Sequence, residues 1–165
     1  MRFLDDHILH SASDLNAFLG CAHAAALNLR KLVAPLSLPN RAIDDEPAVL
    51  IQDAGHAHEA AYLSSLRNAG DVVEIATDGS LRKRSDATAA EMKRGSPVSY
   101  QAAFLASPWH GFADFLRRVD APSPLGAWSY EAIDTKLART PSPKHVLQLG
   151  LYSDLIEQVQ GTKPH

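Results

Sequence analysis

The sequence predicts a mixed α/β fold, a small mixed β-sheet flanked by helices. Three observations carry that expectation. The stretches G-F-A-D-F-L-R-R-V (111–119) and W-S-Y-E-A-I-D-T-K (128–136) are short and rich in aromatic and β-branched residues, and A-P-S-P-L-G between them is a turn signal, so together they read as a hairpin. Two more strand-like runs, 71–76 and 97–105, lie upstream. Segments with apolar residues at helical spacing alternate with them. Helices and strands that alternate in this way bury their apolar faces against one another as layers.

The elements follow in order. A helix is expected over 13–32, with Ser13 as N-cap and Leu15, Phe18, Leu19, Ala22, Ala26, Leu29 and Leu32 on its buried face. Pro35 stops it, and a loop rich in proline and acid follows over 35–47. A second helix runs from about Ala48 to Ala69 and ends at Gly70. After the strand at 71–76, T-D-G-S is a turn, and a short helix is expected over 86–94 with Ser85 as cap and Gly95 as stop. S-P-W-H-G turns the chain from the strand at 97–105 into the hairpin. The last helix has Ser142 as cap, Pro143 in its first turn and Gln160 near its end, before Gly161.

A chain of 165 residues, 45% apolar and 21% charged, has the size and composition of one globular domain, with a core over about 11–161. A single cysteine, Cys21, excludes an internal disulfide framework and a four-thiolate metal site. It is expected to be a small buried hydrophobe. No apolar run reaches membrane-spanning length, and M-R-F-L-D-D-H lacks the apolar centre of a signal peptide, so a cytoplasmic location without a membrane partner is expected. The net charge of −3 is not that of a strong stand-alone nucleic-acid binder. Its distribution is uneven, however: residues 1–80 hold 5 Lys+Arg against 11 Asp+Glu, and residues 81–165 hold 11 against 8. The densest basic region is Arg82, Lys83, Arg84, Lys93 and Arg94.

The chemistry gathers on the hairpin. Side chains alternate faces along a strand, so Phe112, Asp114 and Leu116 share one face of the first strand. Tyr130, Ala132, Asp134 and Lys136 share one face of the second, and Glu131 takes the other. Two carboxylates and an ammonium that converge on a sheet face need compensation, because unpaired charge is costly to bury. A divalent cation is the simplest compensation. On the second helix, D-A-G-H-A-H-E-A-A-Y-L offers His58 and Glu59 as further donors. On the last helix Gln148 and Tyr152 lie four apart, on one stripe.

An Asp, a hairpin and then D-x-K resembles the catalytic core of the PD-(D/E)XK nucleases, in particular the RecB-like branch. S-A-S-D-L-N-A-F-L-G-C-A-H resembles the opening of such domains, Gly55 with His58-Glu59 resembles their first-helix motif, and Q-L-G-L-Y resembles their Q-x-x-x-Y element. The resemblance implies a restriction-endonuclease-like core and a metal-dependent nuclease that hydrolyses phosphodiester bonds in DNA, as an exonuclease in repair, recombination or end processing. It implies Mg²⁺ or Mn²⁺ held by Asp114, Asp134 and His58, with Glu59 as the second choice and the Thr135 carbonyl as a further donor. Lys136 would be catalytic, and Gln148 and Tyr152 would border the site. Some relatives hold an iron–sulfur cluster through four cysteines; three of the four are missing here, so none is expected. The implied partner is DNA, single-stranded or at ends, together with a helicase domain on a separate or missing segment, since no phosphate-binding G-x-x-x-x-G-K-[ST] motif is present. In the family a strand follows the last helix. With no room for one, this chain is expected to be a fragment of a longer protein with an exposed sheet edge.

Two other classes compete. The chain could be a non-catalytic remnant that binds nucleic acid or a partner, in which Asp134–Lys136 is a surface ion pair and Asp114 pairs with Arg117 or Arg118. It could instead be a metal-dependent phosphomonoesterase.

Overall fold

The computed structural model describes residues 1–35, 46–136 and 140–164. The chain is mixed α/β. In order it forms β1 (Arg2–Leu4), β2 (His7–Leu9), α1 (Ala12–Gly20), α2 (Ala22–Val33), α3 (Glu46–Ala69), β3 (Val72–Glu74), α4 (Leu81–Arg94), β4 (Val98–Ala106), β5 (Trp109–Val119), β6 (Ser129–Ile133) and α5 (Pro143–Gln160). The hairpin β1–β2 is a separate two-stranded sheet, joined to the start of β5 by a bridge from His10 to Trp109, and β3-β4-β5-β6 form one four-stranded sheet. β3 is parallel to β4, with α4 as the crossover, while β4–β5 and β5–β6 are antiparallel. Among the described residues no helix is long and apolar enough to cross a membrane.

The expected strands and the last helix are present, and α5 occupies the span its cap, proline and glycine indicate. Gly161 ends it at φ +75, a left-handed conformation that glycine adopts without a Cβ clash. Five expectations need correction. The helix expected over 13–32 is two helices, because Cys21 is extended at φ −163, ψ 105. The first begins after Ser11, not Ser13: the Asp14 carboxylate, at the third helical position, accepts from the Ser11 amide and hydroxyl at 2.8 and 2.7 Å. Cys21 is exposed, not buried. Phe18, Leu19, Leu27, Leu29 and Val33 are also exposed, so α1 and α2 do not bury the apolar face that their spacing suggested. α4 starts a turn earlier than expected because Ser80, not Ser85, is its cap, accepting from the Lys83 amide at 3.3 Å. The loop expected over 35–47 falls largely outside the described residues.

The core lies on the sheet, where Phe104, Leu116 and Tyr130 pack with Met92 of α4 and with Tyr152, Leu155 and Ile156 of α5. A smaller cluster joins Leu9 and Leu81 to Ala103. Gly111 fixes how close α5 comes: a Cβ there would lie 2.9 Å from Leu155 and Tyr152 atoms, so the missing side chain lets α5 settle on β5 and sets Tyr152 against it.

The outer edge of β6 is not left bare at its start. Buried Gln160 accepts the Tyr130 amide at 2.7 Å and donates to the Thr162 carbonyl at 2.9 Å, doing for one amide what a neighbouring strand would do. Gln160→Leu keeps the volume but removes that acceptor. It is expected to lower stability by about 1–3 kcal/mol in urea denaturation, the cost of a buried amide left unpaired.

Candidate metal and phosphodiester site

β5 and β6 bring the two hairpin aspartates together. Phe115 pairs with Ile133 and Leu116 with Ala132, so the same register carried one step further sets Asp114 opposite Asp134. β6 ends at Ile133, and the chain leaves the ladder with the Thr135 amide directed at Asp114 Oδ2, at 3.4 Å. The Asp134 side chain is 2% exposed and that of Lys136 is 36% exposed. Lys136 Nζ donates to Asp134 Oδ1 at 2.8 Å. It lies as near to Oδ2, as an ion pair not in line for a hydrogen bond, and among the described residues this buried oxygen has no hydrogen-bond partner.

This crowding shows in the ionisation of Asp114. Burial, then the Asp134 carboxylate, then Glu59 raise its pKa from 3.8 to about 7, against a smaller opposing pull from Lys136. The rival assignment of Asp114 to an arginine partner does not describe this arrangement. Arg117 lies 3.8 Å from Glu131, its cross-strand neighbour, and Arg118 lies 3.9 Å from Asp120. Glu131 is thereby occupied on the far side of the strand, as alternation requires.

Of the two candidates on α3, Glu59 is the one turned toward the aspartates. It is half-buried, and its Oε1 accepts from the Tyr100 hydroxyl at 2.8 Å and from Gln101 Nε2 at 2.9 Å. His58 is exposed. From α5, Gln148 Nε2 donates to the Tyr152 hydroxyl at 3.1 Å. Tyr152 is buried beside both aspartates, and burial above all pushes its phenol up to about 12, so it stays a neutral donor at physiological pH.

Sequence reasoning missed Tyr100 and Gln101. Gln101 sits at φ +58, unusual for a residue with a Cβ, and the β4–β5 ladder skips the position where it would face Asp114. The residue most distorted in the sheet is thus the one that ties Glu59 to the site, where strain of this kind tends to collect. Nothing in the local sequence signals it, since glutamine is not a usual left-handed residue.

Among the described residues, no three His, Cys, Asp or Glu side chains draw together as a metal-ligand cluster. Glu59 is engaged by Tyr100 and Gln101, which leaves a pair of carboxylates with a third nearby. Surface cavities of about 430–690 Å³ lie against β1–β2, α1 and α5, and neither aspartate lines them.

No known relative comes forward. No family model matches the chain, no curated protein does, and no solved structure does. The functional reading therefore rests on this chain's own residues.

Proposed function

We propose that this chain is a metal-dependent nuclease that hydrolyses phosphodiester bonds in DNA, built on a restriction-endonuclease-like core of the RecB-like kind. One observation carries the reading: the register of β5 and β6, carried one step past Ile133, sets Asp114 opposite Asp134, a carboxylate 2% exposed whose two oxygens share the Lys136 ammonium. Two carboxylates this close repel unless a proton or a cation lies between them. Hard oxygen donors suit Mg²⁺ or Mn²⁺. Asp114 and Asp134 would hold the ion, with Glu59 ahead of His58 as the third group. Once bound, such an ion supplies an activated water and neutralises charge on the phosphate. Lys136 adds a fixed positive charge for the oxyanion, and Tyr152, steadied by Gln148, adds a neutral hydrogen-bond donor.

The test is cleavage of labelled single- and double-stranded DNA with Mg²⁺ or Mn²⁺, against a chelator control. Metal-dependent cleavage is expected. Intact DNA with both metals would overturn the reading and leave a nucleic-acid- or partner-binding remnant. Hydrolysis of a small chromogenic phosphate with DNA left intact would point to a phosphomonoesterase.

The third ligand can be read separately. Glu59→Gln keeps the acceptor for Tyr100 and Gln101 but removes the charge. It is expected to weaken Mn²⁺ binding, followed as the metal-induced rise in melting temperature, by about tenfold or more, since even outer partners of a metal site are worth that much. His58→Ala is expected to leave it unchanged.

A further inference from the structure

Phe112 lies two residues before Asp114 on β5, and three side chains able to carry positive charge gather round its ring. The Arg84 guanidinium of α4 lies 4.6 Å from the ring centre, and that of Arg2 on β1 lies 5.3 Å from it. His110 meets the ring edge-on, 5.6 Å between centres. Five other arginines, Arg67, Arg82, Arg94, Arg117 and Arg118, each have a carboxylate within 4.0 Å. Among the described residues Arg2, Arg30 and Arg84 have none, and Arg2 and Arg84 are the two that meet at one ring. Among the described residues the Arg84 guanidinium reaches the Gln101 carbonyl alone, at the long distance of 3.4 Å. Its Nε is buried and, like His110 Nδ1, has no hydrogen-bond partner among the described residues.

The cluster therefore repels itself. Burial and Arg2 lower the Arg84 pKa, and burial and then Arg2 lower that of His110 to about 4. Stacking on an aromatic face returns about 0.5–2 kcal/mol per cation, which offsets only part of such a cost. An anion between the guanidiniums would relieve the rest, and the guanidinium fork matches two oxygens of a phosphate.

We infer that Arg2 and Arg84, stacked on Phe112, form a binding subsite for a phosphate ester, filled by a backbone phosphate of a nucleic-acid strand. Two residues of extended chain span about 7 Å, so Phe112 and Asp114 are close enough for one strand to reach both. The choice of nucleic acid over a smaller phosphate ester rests on the nuclease reading; the phosphate chemistry does not.

The experiment is metal-free, so its outcome is independent of cleavage. Binding of a fluorescent single-stranded oligodeoxynucleotide is measured in EDTA across a salt series, for the unaltered protein, Arg2→Gln/Arg84→Gln and an Arg67→Gln control. Each phosphate contact contributes about 0.7 to the slope of log K against log salt for single strands. The double variant is expected to lose about 0.7–1.4 of slope, and the control none. Should the double variant fail to fold, Arg2→Gln alone, on the exposed hairpin, must still lose about 0.7. Deoxyadenosine monophosphate is the second probe: binding that depends on Arg2 and Arg84 for this probe but not for the oligonucleotide supports the subsite with a small phosphate ester as occupant. An unchanged slope for the oligonucleotide together with an unchanged affinity for the monophosphate in the variants, or no binding of either probe by the unaltered protein, overturns the inference.

Discussion

Asp134→Ala is expected to leave a folded protein whose metal-dependent cleavage of DNA falls at least about a thousandfold, some 4 kcal/mol of lost transition-state stabilisation. Folding should survive for a local reason. Asp134 is buried, but its hydrogen-bonded partner among the described residues, Lys136, is exposed enough to turn to water, and removing one carboxylate relieves the repulsion on Asp114. Activity should not survive, because the ion would lose one of the two oxygen donors that face each other across the hairpin. Lys136→Gln separates holding the metal from assisting the chemistry. It should cost roughly 10²–10³ in rate, the scale of one oxyanion donor, while the metal-induced rise in melting temperature remains. Steady-state cleavage rates and thermal melts of the three proteins decide the matter. A folded Asp134→Ala that cleaves at the unaltered rate would remove this carboxylate from the chemistry and the nuclease assignment with it.

What could be read from the sequence divides along physical lines. The hairpin was legible because alternation and turn chemistry are local, and its register, carried one step past Ile133, sets Asp114 opposite Asp134; Asp134 and Lys136 lie beyond the end of β6, so an ion pair and not the period of a strand joins them. α5 was legible because Ser142, Pro143 and Gly161 mark both ends. The N-terminal hairpin carries a weaker signal. Its signal was D-D between two apolar pairs, with Asp5 at φ +50 as the turn residue. The start of α4 was misplaced because Ser80 and Ser85 are both fair caps, and only packing of Leu81 on the small cluster with Leu9 and Ala103 selects the first. The orientation of α3 was beyond local reasoning. His58 and Glu59 are adjacent, about 100° apart around a helix, and what selects Glu59 is a pair of hydrogen bonds from Tyr100 and Gln101, residues 41 and 42 positions away. The same holds for Arg84. In sequence it is one of five basic residues around α4; in the fold it lacks the acid that Arg82 finds in Asp5 and Arg94 finds in Glu91.

Asp114→Asn is expected to remove a falling limb from the pH–stability profile of the metal-free protein. In the unfolded chain Asp114 loses its proton near 3.8, whereas burial and Asp134 delay that loss to about 7 in the fold. Between those values the folded state binds more protons than the unfolded state, so stability falls as pH rises. The contribution is fully present below about pH 4 and gone above about pH 7, and the shift corresponds to at most about 4 kcal/mol. Asparagine is neutral throughout and can still accept the Thr135 amide, so the limb should flatten and the variant should be the more stable protein at pH 8. A divalent cation should act in the opposite sense. It competes with the proton, so its stabilisation of the unaltered protein should grow from pH 5 to pH 8 and be largely absent from the variant. Urea denaturation across pH 4–8, with and without Mn²⁺, measures both effects at once. A flat profile for the unaltered protein, or a falling limb that persists in Asp114→Asn, would mean that this carboxyl does not share a dry, crowded position with Asp134, and the cation would then have no reason to sit there.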